Sequence, residues 1–239
     1  MRRPLLSALL ALAAPAAGAA DRFAAPEGCQ GFLTVQMRGC QMSNHFTCAG
    51  DPPGHQWDTY IDGGGAYFTS QIDHETQWIL SIDHEPRGHD RLEPGAADPA
   101  SFSLLLAEGR DDYDFVTVSD NGRRTRYAGF DRLTGETVRI DGQVLERTEF
   151  DLTASDAATG ALLFRRTGTQ YVSRDWRLFF PGEEEFVSAA GEATRTDNTP
   201  VEFLLPGERG FFGAEPRYDC DMMMTGAPAR ITPVSEVLP

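Results

Sequence analysis

The sequence predicts an all-β protein with a minor helical part, folded as a single strongly curved antiparallel sheet. The main observation is that apolar residues recur at every second position, as in Leu33, Val35 and Met37, which is the period of a half-buried β-strand. The second observation is that turn dipeptides separate these runs. Asn121-Gly122 and Asp141-Gly142 both favour the positive φ angles of tight hairpins. Strands joined by hairpins pair antiparallel.

Strand signals begin near residue 31 and continue to about residue 205. Further turn signals occur at Thr134-Gly135, Thr159-Gly160 and Pro181-Gly182. Residues 84–100 are rich in Pro and Gly and are predicted to form a loop. We therefore expect a single antiparallel β domain over residues 20–212. A largely irregular C-terminal tail follows, residues 213–239, tied to the domain through Cys220.

One short segment breaks the strand pattern and predicts a helix near residues 98–109. Asp98 is suited to the N-cap, Pro99 to the first turn, and Gly109 to the position just past the end. The intervening run Phe102–Glu108 is long enough for two helical turns.

A sheet of eight or more strands curls or closes, because strand twist accumulates and unpaired edges promote aggregation. We expect either a closed barrel or a half-barrel wrapped around the helix at 98–109. The half-barrel layout resembles the periplasmic lipoprotein carriers. That resemblance implies a concave sheet able to hold an acyl chain.

Residues 1–19 have the three parts of a secretory signal peptide. Arg2 and Arg3 precede the apolar run Leu5–Ala14, and Ala17-Gly18-Ala19 forms an A-x-A cleavage site. The apolar run is shorter than the roughly 20 residues that span a bilayer. We therefore expect cleavage near Ala19 and a soluble periplasmic or secreted product without a stable membrane anchor.

The charge of the chain restricts its partners and its chemistry. The formal net charge is −15, and such a field repels nucleic acid. All 21 basic residues are Arg. Without Lys, the protein cannot carry out Schiff-base catalysis, attach pyridoxal phosphate or form a phosphate-binding loop with its Lys. We expect no cofactor, no nucleic-acid partner and a monomeric protein.

Four cysteines, Cys29, Cys40, Cys48 and Cys220, predict two disulfides in an oxidising compartment. Three connectivities are possible, and we favour Cys40–Cys48 with Cys29–Cys220. The Cys-rich start, from Cys29-Gln-Gly-Phe-Leu-Thr-Val to His45-Phe-Thr-Cys48, also resembles uncharacterised exported proteins of alphaproteobacteria. That resemblance implies a family and carries no activity.

The spacing of the histidines does not match a known metal-binding motif. All five histidines lie between residues 45 and 89, and His84, His89 and Asp90 could form a loop site. However, His84-Glu-Pro-Arg-Gly-His89 is one residue longer than the zinc motif His-Glu-x-x-His. Pro86 and Gly88 also oppose the helix which that motif requires. Solvated loop histidines are the simpler interpretation.

The aromatic residues are the remaining candidates for a binding site. Trp57, Trp78, Tyr113 and Trp176 are the positions that we select as possible lining of an apolar cavity. The leading hypothesis is a non-catalytic protein that binds or carries an apolar small molecule or lipid in the cell envelope. One alternative is an envelope hydrolase that uses paired carboxylates. Another is a protein-interaction module with exposed apolar residues, for which Phe179-Phe180 and Phe211-Phe212 are candidates.

Overall fold

A computed structural model describes residues 22–223, and these form one large antiparallel sheet and two short helices. The strands are β1 Cys29–Met37, β2 Gln41–Cys48, β3 Gln56–Asp62, β4 Gly65–Ile72, β5 Trp78–His84, β6 Arg87–Leu92, β7 Arg110–Ser119, β8 Arg124–Ile140, β9 Gln143–Asp156, β10 Leu162–Ser173, β11 Leu178–Ser188, β12 Ala193–Asp197 and β13 Pro200–Leu204. The helices are α1 Phe102–Glu108 and α2 Cys220–Met223. The predicted leader lies outside the described residues.

The sheet is a meander in which almost every strand pairs with its neighbours in the sequence. The order is β12-β11-β10-β9-β8-β7-β6-β5-β4-β3-β2-β1-β13, so that only β13 departs from sequence order, by pairing with β1. Strands β12 and β13 lie at opposite edges of this order, although Asn198 and Thr199 alone connect them. The sheet must therefore curve until its two edges approach each other. The predicted curved antiparallel sheet is confirmed; it is open, in the manner of a half-barrel, and not a closed barrel.

The turn signals identify some turns and mark bulges elsewhere. Asp141 and Gly142 have φ angles of 46° and 80°, as a tight hairpin between β8 and β9 requires. In contrast, Thr134-Gly135 and Pro181-Gly182 lie inside β8 and β11, next to shifts of the strand register. The prediction of turns at these two places is wrong, since Gly serves a β-bulge as well as it serves a turn.

Two local predictions between residues 84 and 109 need correction. The predicted loop at 84–100 contains strand β6, which pairs with β5 through a tight turn at Glu85-Pro86. The helix is confirmed, but its N-cap is Ser101 and not Asp98. The Ser101 side chain accepts a hydrogen bond from Leu104 N, whereas Asp98 forms a backbone bridge to Asp114. Gly109, with φ 77°, ends the helix as predicted.

The segment after β13 covers the outer face of β1 and β2. Thr34 Oγ1 accepts a hydrogen bond of 2.8 Å from Phe212 N, and Asn44 Nδ2 donates one of 2.8 Å to Gly213 O. A Cβ atom at Gly31 would lie only 2.2 Å from the Phe212 ring, so only glycine permits this contact. Strand β1 is therefore buried on both faces, which explains why polar Thr34 is fully enclosed.

The disulfides are Cys29–Cys48 and Cys40–Cys220, so the pairing that we favoured from the sequence is wrong. Cys29 and Cys48 are register partners at one end of the β1–β2 hairpin, and Cys40 lies in the turn at its other end. At about 3.3 Å per residue, the strand β2 separates Cys40 from Cys48 by roughly 25 Å. Cys40 is instead next to the C-terminal segment, since its N–H donates to Tyr218 O over 2.9 Å.

Buried side chains form three apolar clusters. The first joins β1 and β13 to the distant strands β9 and β11, through residues that are at most 4% exposed. Its buried members are Leu33, Val35, Met37, Leu145, Leu178, Phe180 and Phe203. The second lies under β7–β10 around Phe115 and Leu152. The third packs Phe102 and Leu105 of α1 against Val172. Helix α1 also lies against β7 and β8. No helix within residues 22–223 is long and apolar enough to cross a membrane.

Candidate functional site

Cross-strand pairing places a set of polar and aromatic side chains along the middle of the concave face. Tyr60 is opposite Phe68, and Phe68 is opposite Asp83; likewise Asp58 is opposite Ser70. On the facing wall, Arg166 of β10 is opposite Leu152, in the cluster around Phe115. We define the inner cleft as the set Asp58, Tyr60, Phe68, Ser70, Ser81, Asp83, Asp90, Tyr113, Tyr127, Arg166 and Glu184.

The inner cleft keeps some access to solvent, unlike the core around β1. Asp58, Tyr60 and Tyr127 lie deep inside the protein, yet each keeps part of its surface accessible. The core residues on β1, such as Leu33 and Val35, keep none. The side chains of the cleft are therefore within reach of a small molecule.

Asp58 is the most deeply placed carboxyl group of the cleft. Its Oδ1 accepts hydrogen bonds from Ser70 Oγ at 2.6 Å and from Ser70 N at 3.2 Å. Burial raises the pKa of Asp58 to about 6, although the hydrogen bonds from Ser70 oppose the shift. The group is thus ionised at neutral pH and protonated under mildly acidic conditions.

His45, the register partner of Asp58, belongs to the packed core and not to the cleft. It is 1% exposed, and its Nε2 lies 2.9 Å from Ser43 Oγ. Nδ1 has no partner among the residues that the structure describes. Burial lowers the pKa of His45 to about 3, so the ring is neutral at physiological pH. A Ser–His pair enclosed in this way cannot meet a substrate in this conformation.

Asp83 is the second accessible carboxyl group of the cleft. Burial, and then the negative charge of Asp90, raise its pKa to about 6, while Arg123 in the β7–β8 turn opposes the shift. Asp90 itself accepts a hydrogen bond from Ser119 Oγ. Two carboxyl groups on neighbouring strands therefore share this part of the cleft.

Arg166 and Glu184 form a two-pronged ion pair on the opposite wall. Arg166 Nε lies 2.6 Å from Glu184 Oε1, and Arg166 Nη2 lies 2.8 Å from Oε2. The charge of Arg166 acts on the tyrosines of four strands, since it opposes the burial that raises their pKa values. These tyrosines are Tyr60, Tyr67, Tyr113 and Tyr127. Arg166 therefore lies within electrostatic reach of tyrosines on both walls of the cleft.

A further pair of carboxyl groups lies beneath helix α1. Asp111 and Asp131 are register partners on β7 and β8, and Ser101 N donates to Asp111 Oδ2 over 2.8 Å. Burial raises the pKa of Asp111 to about 6 and, together with the charge of Asp111, that of Asp131 to about 7. Asp111 is only 3% exposed. These are paired carboxylates of the kind that a hydrolase requires, but α1 covers them, and no polymer chain reaches them in this arrangement.

The four aromatic residues selected from the sequence lie in three different places. Trp78 and Tyr113 both pack against Phe115, with ring centroids 5.4 and 5.9 Å away, next to the inner cleft. Trp57 stacks on Phe46, which contacts Phe212 on the covered outer face. Trp176 packs against core residues at one rim of the sheet. The four do not line one cavity.

Trp176 also borders a shallow groove of about 400 Å³ at that rim. Phe32, Asp51, His55 and the Cys29–Cys48 disulfide contribute to its walls. Asp51 is occupied there by a hydrogen bond of 2.6 Å from Trp57 Nε1. The groove is open to solvent.

The candidate metal residues are each engaged separately. His84 Nε2 lies 3.0 Å from Thr69 Oγ1, and His89 Nε2 lies 2.5 Å from Asp120 Oδ1. Asp90 follows His89 on β6, so the two side chains point to opposite faces of the sheet. The side chain of Asp90 faces the cleft. Within residues 22–223, no three His, Cys, Asp or Glu side chains are arranged to hold a metal ion.

The apolar pairs selected as possible interaction sites are covered within the protein. Phe179 packs against Phe102 of α1, with centroids 5.5 Å apart, and Phe180 lies in the core. Phe212 is buried against β1 and β2, and Phe211 contacts it. Both pairs therefore make contacts within the protein.

Sequence reasoning did not select Asp58, Asp83, Arg166 or Glu184. The available signal was a charged residue two positions from an aromatic one in a predicted strand, which places both side chains on the same face of the sheet. Asp58 precedes Tyr60 by two positions, and Arg166 follows Phe164 by two. Comparisons of this chain with protein-family models, with curated proteins and with solved structures give no significant match. The function must therefore be argued from the geometry of the inner cleft.

Proposed function

We propose that this protein binds an amphipathic small molecule in the inner cleft without transforming it. The observation that carries the proposal is the partial accessibility of Asp58, Tyr60 and Tyr127 deep within the curved sheet. Curved antiparallel sheets commonly hold ligands on their concave side. The thirteen strands of this protein form such a curved sheet.

The lining of the cleft supports a ligand with an apolar body and a polar end. The ring centroids of Trp78 and Tyr127 are 5.3 Å apart, and those of Tyr60 and Phe68 are 6.2 Å apart. Carboxyl and guanidinium groups are interspersed among these rings. Binding sites for small molecules are built in this way, with apolar walls and a few polar groups that orient the ligand.

The compartment is part of the same proposal. Two disulfides support an oxidising environment, and the predicted leader supports export to the periplasm or beyond. We propose that the protein acts there as a monomer. Native mass spectrometry of material purified from its own envelope would report bound ligand and assembly together.

The direct test of binding is a substitution that places a larger side chain in the cleft. Ser81 faces Ser70 within it, and Ser81→Phe adds a bulky ring to the lining of the cleft. Binding of the neutral dye N-phenyl-1-naphthylamine, followed by its fluorescence, should weaken at least tenfold. Val144→Phe is the matched control, because Val144 is 54% exposed on the β8–β9 hairpin. Equal binding by both variants and the wild type would disprove binding in the cleft.

A further inference from the structure

We propose that the polar end of the ligand is an organic cation, a protonated amine or a quaternary ammonium group, held between Asp58 and Asp83 against tyrosine rings. This inference rests on the proposed function, because it specifies the chemistry of a ligand in the same cleft. It goes beyond that function by choosing one charge type among amphipathic molecules.

The first argument is the unbalanced charge of the cleft. Within the described part of the chain, Asp58 accepts hydrogen bonds from Ser70 only, and these two bonds leave its charge uncompensated. Asp83 lies close to a second carboxyl group, Asp90, and Arg123 is the cation that faces them. Since an enclosed carboxylate without a counter-charge is costly, a bound cation would relieve that cost.

The second argument is that Arg166 already has an ion-pair partner within the cleft. Both prongs of its guanidinium group already bind Glu184, at 2.6 and 2.8 Å. This ion pair balances the charge of Arg166, so the carboxyl groups of Asp58, Asp83 and Asp90 leave the cleft with a net negative charge. The cleft therefore repels an anionic head group and attracts a cationic one.

The third argument concerns the hydroxyl group of Tyr60. Tyr60 is half-buried within electrostatic reach of Asp58, and its hydroxyl group forms no hydrogen bond with another described residue. The oxygen of this hydroxyl group can accept a hydrogen bond from a protonated amine.

The fourth argument is the arrangement of aromatic rings next to Asp58 and Asp83. The Tyr60 ring is 6.3 Å from that of Tyr67 and 6.2 Å from that of Phe68, the register partner of Asp83. Faces of electron-rich rings attract organic cations, most strongly where water is excluded. Carboxylates and rings together form the kind of cage that selects an ammonium group.

The experiment uses three probes with the same dodecyl chain, all below their micelle-forming concentrations: dodecyltrimethylammonium, dodecyl sulfate and dodecyl maltoside. Their affinities are measured by isothermal titration calorimetry at pH 7.5 and moderate salt. We expect the cationic probe to bind about tenfold more tightly than the neutral one, and the anionic probe to bind most weakly.

The variant Asp58→Asn/Asp83→Asn should reduce the ratio of cationic to neutral affinity to about one. Asparagine still accepts the hydrogen bond from Ser70 and removes a costly charge, so the fold should persist. The single variant Asp83→Asn, close to the rim, provides a second measurement. Glu27→Gln/Glu108→Gln is the control for net charge, since both residues are exposed; it should keep the wild-type ratio.

The outcomes separate the two proposals. If none of the three probes binds, binding in the cleft and the preference for cations both fail. If all three bind with equal affinity, the proposed function holds and the preference for cations is wrong. A cation preference that the control variant loses equally would assign it to the overall negative charge and would also overturn this inference.

Discussion

Asp111 and Asp131 lie directly opposite each other on β7 and β8, beneath the amino-terminal end of helix α1. Two like charges in cross-strand positions repel each other, and here Asp98, Asp112 and Glu75 add negative charge around Asp111. Burial, together with these charges, therefore favours protonation: the pKa is about 6 for Asp111 and about 7 for Asp131. This relationship makes the stability of the protein depend on pH.

The first prediction is that Asp131→Asn stabilises the protein more strongly at pH 8 than at pH 5. Because the pKa of Asp131 is raised in the folded state, the contribution of this group is fully present only below the unfolded pKa, about 4. The contribution is lost as the pH rises through the folded value, here about 7, so part of the loss has occurred by pH 5. The neutral asparagine avoids this loss, and we expect its advantage to grow by on the order of 2 kcal/mol between pH 5 and pH 8. Urea unfolding at the two pH values measures the difference.

Asp112→Asn is the control for this experiment. Asp112 neighbours Asp111 on the outer side of the strand, where the hydrogen bond from Arg110 lowers its pKa. This substitution should not stabilise the protein at pH 8. An equal gain from both substitutions would assign the effect to net charge and would contradict a role of the Asp111–Asp131 pair.

The second prediction compares two adjacent arginines, Arg165 and Arg166. Arg165 pairs with Asp151 on the outer face, and Arg166 pairs with Glu184 in the inner cleft. Arg166→Met leaves Glu184 enclosed without its partner and should lower the free energy of unfolding by about 2 kcal/mol. Arg165→Met removes an exposed pair and should cost less than about 1 kcal/mol. Chemical denaturation at pH 7 measures both, and equal losses would contradict an enclosed position of Glu184.

The third prediction distinguishes the two possible N-caps of helix α1. Ser101→Ala removes the acceptor for Leu104 N and a donor to Glu75 Oε2, so it should cost about 1 kcal/mol. Asp98→Ala removes no cap and eliminates one negative charge near Asp111, so stability should be unchanged or slightly higher. Thermal unfolding of both variants measures the effect. A larger loss for Asp98→Ala would restore the cap inferred from the sequence.

The alternation of residues such as Leu33, Val35 and Met37 correctly predicted strands, and Asp141-Gly142 correctly predicted a hairpin turn. Local patterns of this kind depend only on neighbouring residues. Pro181-Gly182 shows where they fail, since the same dipeptide that breaks a strand can also form a bulge within one. The choice depends on Gly168 of the facing strand, where a Cβ would lie 2.2 Å from Glu183 O, and no local pattern contains that contact.

The sequence by itself determined the strand period, the short helix and the number of disulfides. Its acidic, lysine-free composition also excluded whole classes of chemistry. Only the tertiary structure decided which cysteines pair, because the register of β1 on β2 places Cys29 beside Cys48. It also decided which acids converge. Asp58 and Asp83 are 25 residues apart, and Arg166 is more than 80 further along the chain. Their proximity follows from curvature accumulated over thirteen strands, a property of the whole sheet that no segment of the sequence encodes alone.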